Sequence, residues 1–361
     1  MRLLHLKGGP QMGQTRRNFL KLAGAAGIGA AAAPRALGAT QAKGRAVAAR
    51  GNGNSGPKEL PKNMTFCTLR RDGRHVLGVR TQRGVLDVEK AGKALRRPAP
   101  STIDEVLQGT DVQALKALVD AAVANSAAKA AFVPEEQAPF GPCVTNPEKI
   151  MMLGYNYKKH VIETKRPMPD SPVLFNKFNN ALNWHGGVIN LPQKVAKKFD
   201  YEVELVVVMG KTARDVPKEK ALDYVFGYCV GNDFSARDLQ FKTPQLMLGK
   251  TSDGFGPIGP WLVTADQIPN VQKLGLQTRV NGELRQNSNT DDMIFDVATI
   301  ISYTSQMWTL KPGDIFFTGT PEGVILGKPE AEQVWLKAGD VVVTSIEGLG
   351  DLRITLAPQQ A

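Results

Sequence analysis

The sequence predicts an α+β protein that is mostly β, a rolled sandwich or barrel preceded by a smaller α+β domain. Three observations carry that expectation. Beyond Ile150 the chain is a series of short apolar runs separated by turn signals such as Asn281-Gly282 and Pro312-Gly313, the spacing of a largely β domain. Around residues 101–127 the apolar spacing becomes helical and begins with Ser/Thr caps. No tandem repeat, dinucleotide-binding glycine fingerprint or phosphate loop is evident.

Taken in order, residues 1–42 read as an export signal. "TRRNFLKLAG" pairs Arg16 with Arg17 ahead of a weakly apolar run from Leu22 to Ala33, which ends in small residues. That run is too short to span a bilayer as a stable helix. Its charged, apolar and small-residue parts have the order of a secretion signal, and the arginine pair resembles the twin-arginine type. A disordered or amphipathic basic tail is the alternative. The expectation is a mature protein carried to the periplasm by the twin-arginine export machinery, with cleavage near Ala39 or Ala42 and any metal acquired beforehand. Residues 43–63 read as a disordered linker.

Residues 64–145 read as the small α+β domain. "MTFCTLRRDGRHVLGVRTQRGVLDVEKA" has alternating runs broken by Asp72-Gly73 and Arg83-Gly84, which predicts hairpins. "STIDEVLQGTDVQALKALVDAAVANSA" then predicts helices. Residues 146–361 form the expected β domain, with strands in "KIMMLGYN", "SPVLFNKF", "YVFGYCVGND", "GPWLVTA" and "VVVTSIEGLGDLRITLA". "DVATIISYTSQMWTL" is the clearest helical pattern there.

The formal net charge is +11, but ten of the 45 Lys and Arg lie in residues 1–58, which contain no Asp or Glu. From Glu59 onward 35 basic residues face 34 acidic ones, so the surplus belongs to the leader and linker and nucleic-acid binding is not expected. Cys67, Cys143 and Cys229 are far apart and lack C-x-x-C spacing, which excludes a disulfide scaffold or a cysteine zinc site and leaves at most one bridge.

Candidate chemistry starts in "FDYEVELVVVMG". Side chains alternate faces along a strand, so Asp200, Glu202 and Glu204 share one face while Tyr201, Val203, Leu205 and Val207 share the other. Adjacent Glu Cβ atoms on such a face are about 7 Å apart, a gap that a divalent cation bridges. Asp233 ends the apolar run "YVFGYCVGND" and offers a third oxygen. Carboxylates without His or Cys select a hard ion, Mg²⁺ or Mn²⁺. A solvated strand face shows the same alternation. His160 and Glu163 in "NYKKHVIE" are one helical turn apart, the arrangement of a general base and its orienting carboxylate and equally of a surface pair. Lys250 opens the Gly/Pro-rich stretch "LGKTSDGFGPIGPW", where a lysine either stabilises a developing enolate or is simply solvated.

Together and in order, "MMLGYNYKKHVIE", "PVLFNKF", "FDYEVELVVVMGKTARDV", "FGYCVGNDFSARDLQ", "LGKTSDGFGPIGPWLV", "LKPGDIFFTGTPEGV" and "AGDVVVTSIEGLGDLRI" resemble the fumarylacetoacetate hydrolase family over most of residues 64–357. The resemblance implies a catalytic β-roll, a Mg²⁺ or Mn²⁺ site, a homodimer, and a small-molecule substrate with a 2-oxo acid or 1,3-diketo unit. By position, Glu202, Glu204 and Asp233 match the metal ligands, His160 and Glu163 the catalytic dyad, and Lys250 the active-site lysine. Tyr157, Arg237, Gln240 and Thr320 match groups around the substrate, and Asp200 a supporting acid. The implied reaction is hydrolysis of a C–C bond through an enolate. The same site supports isomerisation of hydroxymuconate-type dienes or decarboxylation of 2-oxo acids, and a dicarboxylate-binding module without catalysis is the alternative of another class. "GYNY" and Arg166, which stands in "ETKRPMP" where a glycine is common, depart from the family pattern, and His185 matches no family role.

Overall fold

A computed structural model describes residues 59–359, so the expected leader, and the linker as far as residue 58, lie outside the described residues. Thr65–Arg71 (β1), Arg74–Thr81 (β2) and Gly84–Asp87 (β3) form an antiparallel meander. The β1–β2 turn is the two residues Asp72-Gly73, both with positive φ (51° and 71°), as a tight hairpin of this twist requires. The meander ends earlier than "GVLDVEKA" suggests, because Asp87 caps a helix by accepting from Lys90 N at 2.9 Å. That helix, Val88–Leu95 (α1), precedes Ile103–Gly109 (α2) and Val112–Ala124 (α3). Thr102 and Asp111 cap the latter two.

The chain continues through Phe132–Val133 (β4), Phe140–Gly141 (β5), Ile150–Gly154 (β6), Lys158–Glu163 (α4), Val173–Lys177 (β7), Leu182–Asn183 (β8) and Gly187–Asn190 (β9). Next come Phe199–Asp200 (β10), Val203–Met209 (β11), Val225–Asn232 (β12), Ser235–Ala236 (β13), Arg237–Gln240 (α5) and Met247–Lys250 (α6). Gly256–Pro257 (β14), Leu262–Thr264 (β15), Gly275–Val280 (β16), Glu283–Asn289 (β17) and Val297–Ser305 (α7) follow. Ile315–Phe317 (β18), Val341–Ile346 (β19) and Gly350–Ala357 (β20) complete it.

One large sheet has the order β4-β3-β2-β1-β15-β12-β11-β18-β6-β7, with β5 added on β1. It is continuous from the N-terminal meander into the following β region through the pairs Thr65↔Val263 and Phe66↔Leu262. A five-stranded sheet, β17-β16-β19-β20-β9, packs against its middle. This is an α+β fold, mostly β.

Strand β11 lies between β12 and β18 and divides the interior. Val203, Leu205 and Val207 enter a core shared with Leu276, Val342 and Leu352 of the five-stranded sheet. Val206 and Val208 enter a second core with Leu107, Leu115 and Leu118 of the helices. The strand expected across residues 199–210 is broken at Tyr201-Glu202. There side chains replace the ladder: Glu202 N donates to Asn232 Oδ1 at 3.0 Å and Val203 N to Gln286 Oε1 at 3.0 Å.

Candidate active site

Register assembles the acids. Val203 pairs with Asn232 and Glu204 with Gly231, so Asp233, just past β12, lies across from Glu202, whose carbonyl accepts from Asp233 N at 2.9 Å. One carboxylate oxygen from each of Glu202, Glu204 and Asp233 falls within 4.8 Å of the others, and all three residues are buried. Such crowding is unfavourable unless charge is supplied from outside the cluster.

Cations supply part of it. Lys250, at the end of α6, bridges Glu202 Oε2 and Asp233 Oδ2, the latter at 2.6 Å. Lys177, at the end of β7, lies 2.7 Å from Asp233 Oδ1 and donates to the backbone carbonyl of Lys250. The Asp233 contact is ionic and lacks hydrogen-bond alignment. Arg237, opening α5, spans Glu202 at 2.7 Å and Asp200 at 2.9 Å, and donates to Gln240 Oε1 at 2.9 Å. Asp200 also accepts from Ile325 N and Leu326 N. It therefore ties Arg237 to the 321–330 loop and stands apart from the three-acid cluster.

The three acids are not equivalent. Burial opposes charge on Glu202, but Arg237 and Lys250 overcome it and hold the carboxyl below the usual range. Burial raises Asp233 against the pull of Lys177 and Lys250. Glu204 forms no ion pair among the described residues and accepts only from Gly319 N at 2.7 Å. Burial, then the charges of Asp233 and Glu202, push it well above the ordinary carboxylate range. A buried all-oxygen set with one acid lacking a cation fits a hard divalent ion. Glu202, Glu204 and Asp233 are the residues to hold it.

His160 and Glu163 sit on the short helix α4. His160 Nδ1 is 2.8 Å from Glu163 Oε1, and Glu163 Oε2 accepts from Gly323 N at 2.9 Å. A proton on Nδ1 satisfies that contact and leaves Nε2 as the basic nitrogen. Tyr155 stacks on the imidazole with centroids 6.3 Å apart. Gly327 is placed by close approach, since a Cβ there would fall 2.6 Å from Glu163 Cδ.

Dyad and acid cluster line one cavity of about 580 Å³, together with Lys250, Arg237, Gln240 and Thr320, a size suited to a small-molecule ligand. Thr320 Oγ1 accepts from Gln286 Nε2 at 2.9 Å. Tyr157 is fully buried with no hydrogen-bond partner for its hydroxyl among the described residues, and Tyr155 stands on the cavity wall in its stead. His185 is remote in role: its Nδ1 lies 2.8 Å from the Asp351 carbonyl and its ring packs edge-on against Phe140. Sequence reasoning missed Lys177, Tyr155 and Gly327. A lysine closing the apolar strand "PVLFNK" was the available signal for the first.

Known proteins share this fold. The profile of the Fumarylacetoacetate (FAA) hydrolase C-terminal family matches residues 149–357. The chain belongs to this family. It is 46% identical over 210 residues, 57% of its own length and 65% of the relative's, to a Xenopus laevis protein named as a mitochondrial oxaloacetate tautomerase. It is similar to a fumarylacetoacetate hydrolase structure from Exiguobacterium antarcticum (32% identity, TM-score 0.64, 82% of this chain and all of that one). A third similarity is to fumarylpyruvate hydrolase from Pseudomonas aeruginosa in complex with Mn²⁺ and pyruvate, at 33% identity and TM-score 0.53 over 60% of this chain and 91% of that one.

Proposed function

We propose that this family member is a divalent-metal-dependent hydrolase cleaving a C–C bond in 1,3-diketo or 2-oxo acid substrates of the acylpyruvate type. One observation carries the proposal: the His160–Glu163 dyad faces the same cavity as the three buried carboxylates. The Mn²⁺ and pyruvate of the Pseudomonas relative support both the ion class and a 2-oxo acid.

A divalent ion, Mg²⁺ or Mn²⁺, supplies Lewis-acid polarisation of adjacent substrate oxygens when bound. His160 Nε2 takes a proton from water, while Glu163 fixes the ring and stabilises the resulting imidazolium. The hydroxide adds to the distal carbonyl, the C–C bond breaks with its electron pair passing to the 2-oxo acid fragment as an enolate, and the proton held on His160 returns to the enolate carbon. Lys250 and Arg237, both held charged by the acids they touch, stabilise that developing negative charge. The buried position of Lys250 makes this worth more than in water. His160→Ala is expected to lower kcat by about 10²–10⁴, the usual general-base contribution. Wild-type turnover by that variant would remove His160 from the mechanism.

A second possibility is proton transfer without cleavage, isomerisation or tautomerisation, and the 46% identity to the Xenopus protein named as an oxaloacetate tautomerase favours it. Product analysis separates the two. Hydrolysis of an acylpyruvate yields two acids and loses the diketone ultraviolet band, whereas tautomerisation conserves the carbon skeleton.

A further inference from the structure

We propose that Arg166 forms a subsite for a second acid on the substrate, a carboxylate at the end remote from the 2-oxo acid. The proposal rests on the 2-oxo acid chemistry above and names the substrate class more narrowly.

The helix that carries the dyad also places Arg166. At the end of α4 Arg166 N donates to the Val161 carbonyl at 3.0 Å and Lys165 N to the Ile162 carbonyl at 3.1 Å, with Lys165 in the left-handed region at φ 55°. This paired closure is the Schellman form of helix ending, and it ties the backbone of Arg166 to that of His160 and Glu163. A residue with a Cβ is unfavourable at the left-handed position, yet a lysine stands there. Two cations in succession therefore leave the helix at the cavity mouth.

The guanidinium has an aromatic seat, with its central carbon 5.8 Å from the Tyr155 ring centroid and 5.4 Å from that of Phe241. Tyr155 in turn stacks on His160 at 6.3 Å. The charge thus lies no further from the imidazole than two ring contacts end to end. Cations at a helix C-terminus also meet the helix dipole, but that interaction needs neither an aromatic seat nor a cavity wall.

Charge accounting separates the two ends of the cavity. At the inner end Lys250 and Arg237 are shared among Asp200, Glu202 and Asp233. At the mouth Lys165, Arg166 and Lys328 stand with Glu330. The two arginines of the cavity wall differ: Arg237 contacts two carboxylates, whereas Arg166, like several arginines elsewhere on the surface, contacts none among the described residues. A cavity of about 580 Å³ leaves room beyond a three-carbon 2-oxo acid, and an unengaged guanidinium at its far end matches a planar carboxylate.

The test compares two acylpyruvates of equal length, one ending in a carboxylate and one in a methyl group, with Mn²⁺ present. In wild-type protein kcat/KM favours the diacid. In Arg166→Leu the diacid-to-monoacid ratio falls about tenfold or more, the scale of one hydrogen-bonded charge contact, and Arg166→Lys recovers part of it. Calorimetric dissociation constants of the corresponding 2-oxo diacid and monoacid give the same ratio without turnover. No diacid preference in wild type, or ratios unchanged in Arg166→Leu, would overturn the subsite. No turnover of either acylpyruvate, with a binding ratio that still collapses in Arg166→Leu, would retire hydrolysis and support the subsite.

Discussion

Glu204 and Val206 are two residues apart on one face of β11, and both are buried. One belongs to a carboxylate cluster and the other to the apolar core under the helices. Opposite Val206 are Cys229 and Phe317, which supply only apolar surface. Opposite Glu204 is Gly231, and Gly319 N donates to its carboxylate. The positive charge of the neighbourhood comes from Lys177, Arg237 and Lys250 on three other elements. What a strand face tolerates is therefore decided by its neighbours, residue by residue.

The most severe break of this contrast is Val206→Asp, which moves a carboxylate one step into the apolar end. With no cation to meet it, the substitution is expected to cost about 3–5 kcal/mol, the scale of an uncompensated buried charge. Denaturant unfolding would show this as a lowered midpoint at unchanged slope, and a wild-type midpoint would contradict it.

Part of this contrast is legible in the sequence. The alternation in "FDYEVELVVVMG" identified the acid face, and β6, β7, β12, β15 and β18–β20 lie where apolar runs between turn signals suggested. The hairpin at Asn281-Gly282 has positive φ at both residues, as the dipeptide implied. The break at Tyr201-Glu202 was not legible, because Asn232 and Gln286 create it from distant points in the chain. Helix α1 was hidden by its short length behind a strand, although Asp87 and Glu89 carry an N-terminal signature. The acids were visible as a pattern, but only order along the chain distinguished them from a solvated face. Lys177 shows in the sequence only as a lysine closing an apolar strand and takes its role from Asp233, whereas Gly327 is wholly tertiary, defined by the approach of Glu163.

A subtler break acts on the dyad. Gly327→Val places side-chain atoms where Glu163 now lies and is expected to lower kcat by about tenfold to a hundredfold, through misorientation of His160. Because the cation cluster is untouched, Mn²⁺ affinity should be unchanged. A parallel loss of Mn²⁺ binding would mean that the substitution disturbs more than the dyad.

The smallest expected effect concerns pH. Glu204 has a raised carboxyl pKa in the metal-free fold, so the folded state holds this proton more tightly than the unfolded chain does. Its contribution to stability is present below the ordinary carboxylate pKa and is lost as pH rises toward the folded value. Metal-free protein should therefore melt at lower temperature as pH is raised through and above the carboxylate range, and Mn²⁺ should offset the decline. Glu204→Gln should flatten the metal-free profile. An unchanged slope in that variant would place the pH dependence elsewhere.

We infer that Glu202, Glu204 and Asp233 form one divalent-cation site. It is tested most directly by calorimetric titration of Mn²⁺ into wild-type and Glu204→Gln protein, in buffers of differing ionisation enthalpy. One ion per chain is expected, with proton release on binding and affinity reduced at least about tenfold in the variant. Wild-type protein that binds no Mn²⁺, or a variant that binds it equally well, would contradict the claim.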